Sequence, residues 1–125
     1  MQAKKIVAVV GASKDRSKFG NKAIRAFQHQ GYTVIPVNPN ESEVEGHQTY
    51  PSVVDIPGPI DMATVYVPPD AGVRVMADLA RKGVREVWLN PGADEPIVVN
   101  RARELGLNVI QACSIVGIGE SPSRY

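Results

Sequence analysis

Residues 4–13 read Lys4-Lys5-Ile6-Val7-Ala8-Val9-Val10-Gly11-Ala12-Ser13, and this stretch decides the fold. An unbroken apolar run stops at a glycine, small and polar residues follow, and a helical pattern begins near Phe19. This order is typical of a buried parallel strand that leads through a turn into the N-terminus of a helix. Glycine suits such a turn because a phosphate reaches backbone N–H groups most closely where no Cβ intervenes. The sequence therefore predicts a nucleotide-like ligand at the first strand-to-helix turn.

Strands and helices alternate along the rest of the chain. Apolar runs predict five strands, at residues 5–10, 32–37, 61–67, 86–89 and 107–111. Helical spacing predicts three helices, at residues 18–30, 70–82 (with Asp70 as N-cap) and 95–105. We expect a loop at 41–48, one helical turn within 50–56 and a surface tail at 117–125. Because crossovers between parallel strands are right-handed, this order predicts one α/β domain over residues 1–125. It is a doubly wound, five-stranded parallel sheet with helices on both faces, in three layers.

Composition narrows the classes of function. The chain of 125 residues is 43% hydrophobic but only 6% aromatic, which is typical of a Val- and Ile-rich core between helices and a parallel sheet. The net charge of +1 gives no reason to expect nucleic acid or an anionic membrane as a partner. No apolar stretch approaches the roughly 18 residues of a membrane span, and residues 1–5 leave no room for a signal peptide. A single cysteine, Cys113, cannot form an internal disulfide, so we expect a cytoplasmic protein.

The ends of the predicted strands indicate where a ligand binds. In doubly wound sheets the ligand lies beyond the carboxyl ends of the strands, where the strand order reverses. This rule selects five tripeptides: Gly11-Ala12-Ser13, Val37-Asn38-Pro39, Val67-Pro68-Pro69, Leu89-Asn90-Pro91 and Gln111-Ala112-Cys113. Four of the five are rich in Gly, Pro or Asn, the residues that form turns.

The same strand ends argue against a dinucleotide. A dinucleotide-binding turn reads Gly-x-Gly-x-x-Gly, and an acidic residue at the end of the second strand accepts from the ribose hydroxyls. Here Ser13 and Arg16 replace the second and third glycines, and strand two ends in Val37-Asn38-Pro39. Such an uncharged end tolerates a ribose that carries a 3′-phosphate, and Lys14, Arg16 and Lys18 add positive charge to the first turn. These residues favour a nucleotide with several phosphates. An NAD(P)-binding redox sensor or oxidoreductase is the alternative.

Three of these strand ends and one later run resemble a known family. They are Gly11-Ala12-Ser13, Pro36-Val37-Asn38-Pro39, Val65-Tyr66-Val67-Pro68-Pro69 and Gly-Val-x-x-Val-Trp-Leu-Asn-Pro-Gly at 83–92. Over residues 4–115 the chain resembles the CoA-binding domain. This Rossmann-like domain forms the N-terminal part of the succinyl-CoA synthetase α-subunit and of NDP-forming acyl-CoA synthetases, and it also occurs as small free-standing proteins. The resemblance implies coenzyme A or a short acyl-CoA as the ligand.

The resemblance also implies which residues hold that ligand. Its phosphates would lie along Ser13, Lys14, Arg16 and Ser17, and its adenine near Pro39. Val67 and Pro68 would pack on the cofactor, and its pantetheine arm would run past Leu89, Asn90 and Pro91. With the strand ends and Lys18, the candidate binding residues are Gly11, Ala12, Ser13, Lys14, Arg16, Ser17, Lys18, Val37, Asn38, Pro39, Val67, Pro68, Pro69, Leu89, Asn90 and Pro91.

Two departures limit what the resemblance implies. The synthetase subunit continues into a second domain with a phosphorylated histidine, and neither His29 nor His47 matches that position. The synthetases also place a lysine after the proline of strand two, where this chain has Asn40-Glu41. One phosphate contact is therefore either missing or supplied by Lys14 or Lys18. We expect no ligase activity from the chain alone.

The sequence supports binding better than catalysis. No paired carboxylates, metal-ligand cluster or nucleophile–base pair stands out. Cys113 follows strand five on the ligand side, where it is either a buried, inert thiol, which we expect, or a partner for a mixed disulfide with CoA. We expect a carrier, a sensor or an accessory subunit, as a monomer or dimer. A synthetase-type chain is the protein partner that the resemblance suggests.

Overall fold

The computed structural model of this chain describes residues 4–125. Its strands are β1 (Ile6–Val10), β2 (Thr33–Val37), β3 (Glu43–Val44), β4 (His47–Gln48), β5 (Met62–Val65), β6 (Glu86–Leu89) and β7 (Asn108–Gln111). Its α-helices are α1 (Phe19–His29), α2 (Pro69–Lys82), α3 (Pro96–Glu104) and α4 (Ser114–Gly117). Short 3-10 helices form at Val53–Asp55 and Pro122–Arg124. Within residues 4–125, none of the helices has the length and apolar character that a membrane crossing needs.

The main sheet has five parallel strands in the order β2-β1-β5-β6-β7. The predicted doubly wound, Rossmann-like α/β fold is confirmed. From β1 the chain moves outward to β2 and then returns across the sheet to β5. The strand order therefore reverses between β1 and β5, and Val10 is paired with Val37 on one side and with Val65 on the other. This reversal marks the carboxyl edge of β1 and β5 as the place for a ligand.

Each face of the sheet packs on its own helices. On one face, α2 and α3 supply buried residues such as Met76 and Val98, and on the other, α1 and α4 supply residues such as Phe27 and Ile115. Strand β1 contributes Ala8 to the first cluster and Val9 to the second. Because both faces of β1 are covered, its sequence is an unbroken apolar run instead of an alternating one. The unbroken apolar run therefore correctly indicated a strand buried on both faces of the sheet.

Two local predictions need correction and one is confirmed. Residues 41–48 do not form a plain loop, because β3 and β4 pair as an antiparallel hairpin. The turn of that hairpin is Glu45-Gly46, and both residues have positive φ, 51° and 79°, as a tight two-residue connection favours. The helical turn expected within 50–56 is confirmed, as the 3-10 helix at Val53–Asp55. Asp70 is not the N-cap of α2: Pro68 takes that position, and Asp70 lies in the first helical turn.

The tail at 117–125 is largely exposed but contains one buried carboxylate. The side chain of Glu120 is 2% exposed. It accepts hydrogen bonds from the Nε2 of Gln30, the hydroxyl of Tyr125 at 2.8 Å and the Nη1 of Arg124 at 3.2 Å, and the Nδ1 of His29 lies 3.2 Å away. The hydrogen bond from Gln30 is the largest cause that lowers the pKa of Glu120, followed by the one from Tyr125. The tail is thereby fastened to the C-terminal end of α1.

We predict that this attachment makes the protein sensitive to acid. A carboxyl whose pKa is lower in the folded state stabilises that state above its unfolded pKa, and the stabilisation is lost as the pH falls through the folded pKa. The free energy of unfolding should therefore fall more steeply below about pH 4.5 in the wild type than in Glu120→Gln, which has no charge to lose. Urea unfolding at several pH values measures this difference. Parallel pH profiles for the two proteins would contradict the assignment.

Candidate functional site

Two glycines allow β1, α1 and the end of β5 to pack closely together. Gly11 has a φ of 89°, and a Cβ there would lie 2.8 Å from the carbonyl oxygen of Tyr66. Gly20 lies in the first turn of α1, and a Cβ there would lie 2.2 Å from the carbonyl oxygen of Gly11. Gly20 thus provides the close helix–strand packing that the last glycine of a dinucleotide fingerprint provides. It does so farther along the chain than Arg16, where the fingerprint would have it.

The loop between β1 and α1 is folded around Asp15. The hydroxyl of Ser13 accepts from the N–H of Asp15 at 3.1 Å, and Oδ1 of Asp15 accepts from the N–H and the hydroxyl of Ser17 at 3.0 and 2.6 Å. These two bonds from Ser17, with the charge of Lys18, lower the pKa of Asp15. The amide of Asn21 donates to the carbonyl of Ser13 at 2.8 Å. The loop is therefore held in one shape by its own side chains.

The three cations of this loop have different surroundings. The Nζ of Lys14 lies 3.2 Å from Oε2 of Glu41, and the Nε of Arg16 lies 3.5 Å from Oε2 of Glu45. Both ion pairs connect the loop to the segment between β2 and β4. Lys18 makes no ion pair with the described residues and lines a cleft. Of the three cations, Lys18 lines a cleft, and within residues 4–125 it has no carboxylate partner.

Two clefts open at the carboxyl edge and meet over Gly11 and Val67. The first cleft has a volume of about 370 Å³ and lies between the end of β2, α2 and the segment before Val53. The second cleft has a volume of about 380 Å³ and lies between the start of α1 and the turn after β6. The first is lined by Val10, Gly11, Val37, Asn38, Pro39, Asn40, Pro51, Ser52, Val53, Val67, Ala71, Arg74, Val75 and Asp78. The second is lined by Gly11, Lys18, Phe19, Gly20, Tyr66, Val67, Pro68, Pro91, Gly92 and Ala93.

The structure brings half of the sixteen predicted binding residues to these clefts. Those that line a cleft are Gly11, Lys18, Val37, Asn38, Pro39, Val67, Pro68 and Pro91. Ser13, Lys14, Arg16 and Ser17 lie in the adjoining loop and line neither cleft. Ala12 and Leu89 are buried in the core, and Pro69 is the first residue of α2.

Asn90 is buried beneath the site in a polar network. Its Nδ2 donates to the hydroxyl of Thr64 at 2.7 Å and to the carbonyl of Val65 at 3.0 Å, and its Oδ1 accepts from the N–H of Ser114 at 2.9 Å. The hydroxyl of Ser114 also lies 3.1 Å from that of Tyr66, whose pKa is raised by burial. The Asn90 side chain therefore fixes the turn that forms a wall of the second cleft, and it points away from the cleft.

Comparison with known proteins identifies the family. A family model described as a CoA binding domain matches residues 5–119. The chain belongs to the CoA-binding domain family. It is 39% identical over 82 residues to the alpha subunit of ADP-forming acetate–CoA ligase II from Pyrococcus furiosus, a match that covers 65% of this chain and 18% of that subunit. This chain therefore spans less than a fifth of the length of that relative.

Two further relatives show the domain in different contexts. The protein YneT of Bacillus subtilis is 29% identical over 110 residues, which cover 88% of this chain and 82% of that protein. The apo structure of a dinucleotide-forming acetyl-coenzyme A synthetase 1 from Ca. Korarchaeum cryptofilum is 33% identical, with a TM-score of 0.74, and covers 87% of this chain and 26% of that one. The domain thus occurs both within longer ligase chains and in chains of about its own length.

Several residues of this CoA-binding domain line the clefts without having been predicted from the sequence. Ser52, Arg74 and Asp78 line the first cleft, and Phe19 and Gly20 line the second. The sequence spacing could have indicated two of them, because Arg74 and Asp78 lie on the same face of the predicted helix as Ala71. Among residues 4–125, no group of three or more His, Cys, Asp or Glu side chains is placed to hold a metal ion.

We predict that Gly20→Ala destabilises the domain. Alanine is the better helix former by about 1 kcal/mol, but its Cβ would lie 2.2 Å from the carbonyl oxygen of Gly11, a backbone atom that moves less easily than the end of a side chain. We expect the free energy of unfolding to fall by about 1–3 kcal/mol. The matched control is Gly72→Ala in α2, whose Cβ would meet only the side chain of Val98, at 3.1 Å. Equal stabilities of the two variants in urea unfolding would contradict the role of Gly20.

Proposed function

We propose that this chain binds coenzyme A or a short acyl-CoA across the carboxyl edge of its sheet. The nucleotide part occupies the first cleft and the pantetheine arm the second. The observation that carries this proposal is the pair of clefts, about 370 and 380 Å³, that meet over Gly11 and Val67 where the strand order reverses. An elongated ligand with a flat head and a flexible arm can span two adjoining clefts that share the lining residues Gly11 and Val67. Membership of the CoA-binding domain family supports the same ligand.

The start of α1 is suited to the pyrophosphate between the two clefts. Within residues 4–125, no acceptor bonds the N–H groups of Phe19 and Gly20, and the first turn of α1 contains no acidic residue. Free N–H groups and the helix dipole attract anionic oxygens. Lys18, at the N-cap, adds a full positive charge on the rim of the second cleft. The loop residues Ser13 and Ser17 extend this polar surface from beside the clefts.

The second cleft has apolar walls that suit the pantetheine arm of CoA. Phe19 is 51% exposed, and it lines this cleft together with Tyr66, Pro68 and Pro91. A pantetheine chain, which alternates methylene and amide groups, buries apolar surface against such walls. No side chain in the lining forms a nucleophile–base pair. The proposed role is therefore that of a carrier, a sensor or an accessory subunit for a synthetase-type chain.

Isothermal titration calorimetry with CoA, dephospho-CoA and NADH tests this proposal. We expect CoA to bind, with a favourable enthalpy from its phosphates, and NADH to bind more weakly because Val37-Asn38-Pro39 offers no carboxylate at the end of β2. Dephospho-CoA reports the contribution of the 3′-phosphate. Binding of NADH in preference to CoA would contradict the proposal and favour an NAD(P)-dependent function.

We further predict opposite effects of two charge changes near the phosphates. Lys18→Ala should weaken CoA binding by about tenfold, because it removes a cation that faces the cleft. Glu41→Gln should strengthen binding by about threefold, because Glu41 holds the Nζ of Lys14 at 3.2 Å and competes with the phosphates for it.

The matched control for the second change is Glu43→Gln. Glu43 is exposed on β3 and makes no ion pair with the described residues. Its replacement removes one negative charge from the same segment without releasing a cation. If both glutamine variants changed CoA affinity equally, a general charge effect would explain the result and the competition at Lys14 would be rejected.

A further inference from the structure

The first cleft contains two oppositely charged side chains on one face of α2. Ala71, Arg74, Val75 and Asp78 all line it, at the spacing that places residues on one side of a helix. Opposite this face, Val37, Pro39 and Val53 form apolar walls. The hydroxyl of Ser52 lies 3.4 Å from Oδ2 of Asp78, so these two side chains join the walls across the cleft.

Asp78 retains capacity to accept hydrogen bonds. Its protein contacts are the hydroxyl of Ser52 at 3.4 Å and the Nη1 of Arg81 at 3.6 Å. Both distances exceed the roughly 2.7–2.9 Å of strong bonds to a carboxylate. The side chain is 31% exposed, and an ionised carboxylate accepts only, at about four positions. A ligand in the cleft would therefore have to present an N–H or O–H group to Asp78, and a phosphate there would be repelled.

Arg74 supplies the complementary group. It lies one helical turn before Asp78, and it makes no ion pair with Asp78 or with any other carboxylate of residues 4–125. A guanidinium only donates. The face of α2 thus offers one acceptor and one donor, with their Cβ atoms about 5–6 Å apart, beside an apolar slot.

We propose that Asp78 and Arg74 recognise the edge of the adenine base. The 6-amino group donates to Asp78, the neighbouring ring N7 accepts from Arg74, and the faces of the purine pack against the apolar walls. A purine with an oxygen at position 6 presents an acceptor to a carboxylate that has no proton to give, so it binds less well. This inference rests on the proposed function, because it takes the nucleotide of CoA to occupy the first cleft.

The experiment compares three ligands by calorimetry: CoA, its 6-oxopurine analogue with inosine in place of adenosine, and its 2′-deoxy analogue. We expect the wild type to prefer CoA to the 6-oxo analogue by about tenfold. In Asp78→Asn this preference should fall below about threefold, because an amide can both donate and accept. Arg74→Met should weaken both ligands, because it removes the donor to N7, which both retain, without adding an amide that could itself pair with the base edge. The matched control Asp55→Asn, an exposed carboxylate outside the cleft lining, should keep the wild-type preference.

Each outcome leads to one conclusion. Equal affinities of the wild type for CoA and its 6-oxo analogue, or an unchanged preference in Asp78→Asn, would overturn base recognition while the proposed function stands. In another outcome, the wild type prefers CoA to the 2′-deoxy analogue, and Asp78→Asn abolishes this preference alone. That result would assign Asp78 to the ribose hydroxyl and would also overturn base recognition. Failure of the wild type to bind CoA at all would overturn the proposed function. Thermal unfolding followed by circular dichroism confirms that each variant is folded.

Discussion

The close approach of α1 to β1 is the constraint on which the site depends. A side chain at Gly20 would meet the carbonyl oxygen of Gly11, and a side chain at Gly11 would meet the carbonyl oxygen of Tyr66. Since neither glycine has a Cβ, the helix N-terminus and the ends of β1 and β5 meet without space between them. The two clefts form on either side of this contact, and both include Gly11 and Val67 in their linings. The backbone packing thus determines where the two clefts lie, and the proposed function takes the ligand to bind there.

Charge is distributed unevenly around this contact. Lys14 and Arg16 are paired with Glu41 and Glu45, so their charges are partly neutralised. Lys18 has no such partner among the described residues and lies at the second cleft. The paired carboxylates lie in the segment between β2 and β4, outside the five-stranded sheet.

The sequence predicted the fold because the relevant signals are local. Strand β1 is apolar on both faces, and glycines such as Gly31, Gly83 and Gly106 follow the helices with positive φ. The residues that were missed depend on partners distant in the chain. Asn90 reads as a strand-end residue that faces a ligand, yet Ser114 turns it inward. The packing role of Gly20 was not predicted because the loop before it is longer than the fingerprint allows. Ser52, Arg74 and Asp78 read as ordinary surface residues until α2 is placed beside the end of β2.

The most direct test of the account is the set of backbone amide chemical shifts in NMR spectra before and after CoA is added. The account predicts that the largest changes fall on the residues around Gly11, Lys18, Gly20 and Val67. The amides of the opposite edge, where Gly83, Arg85 and Leu107 line a separate cleft of about 330 Å³, should stay unchanged. Shifts that cluster at this opposite edge, with none around Gly11 and Gly20, would contradict the claim that the glycine contact positions the ligand.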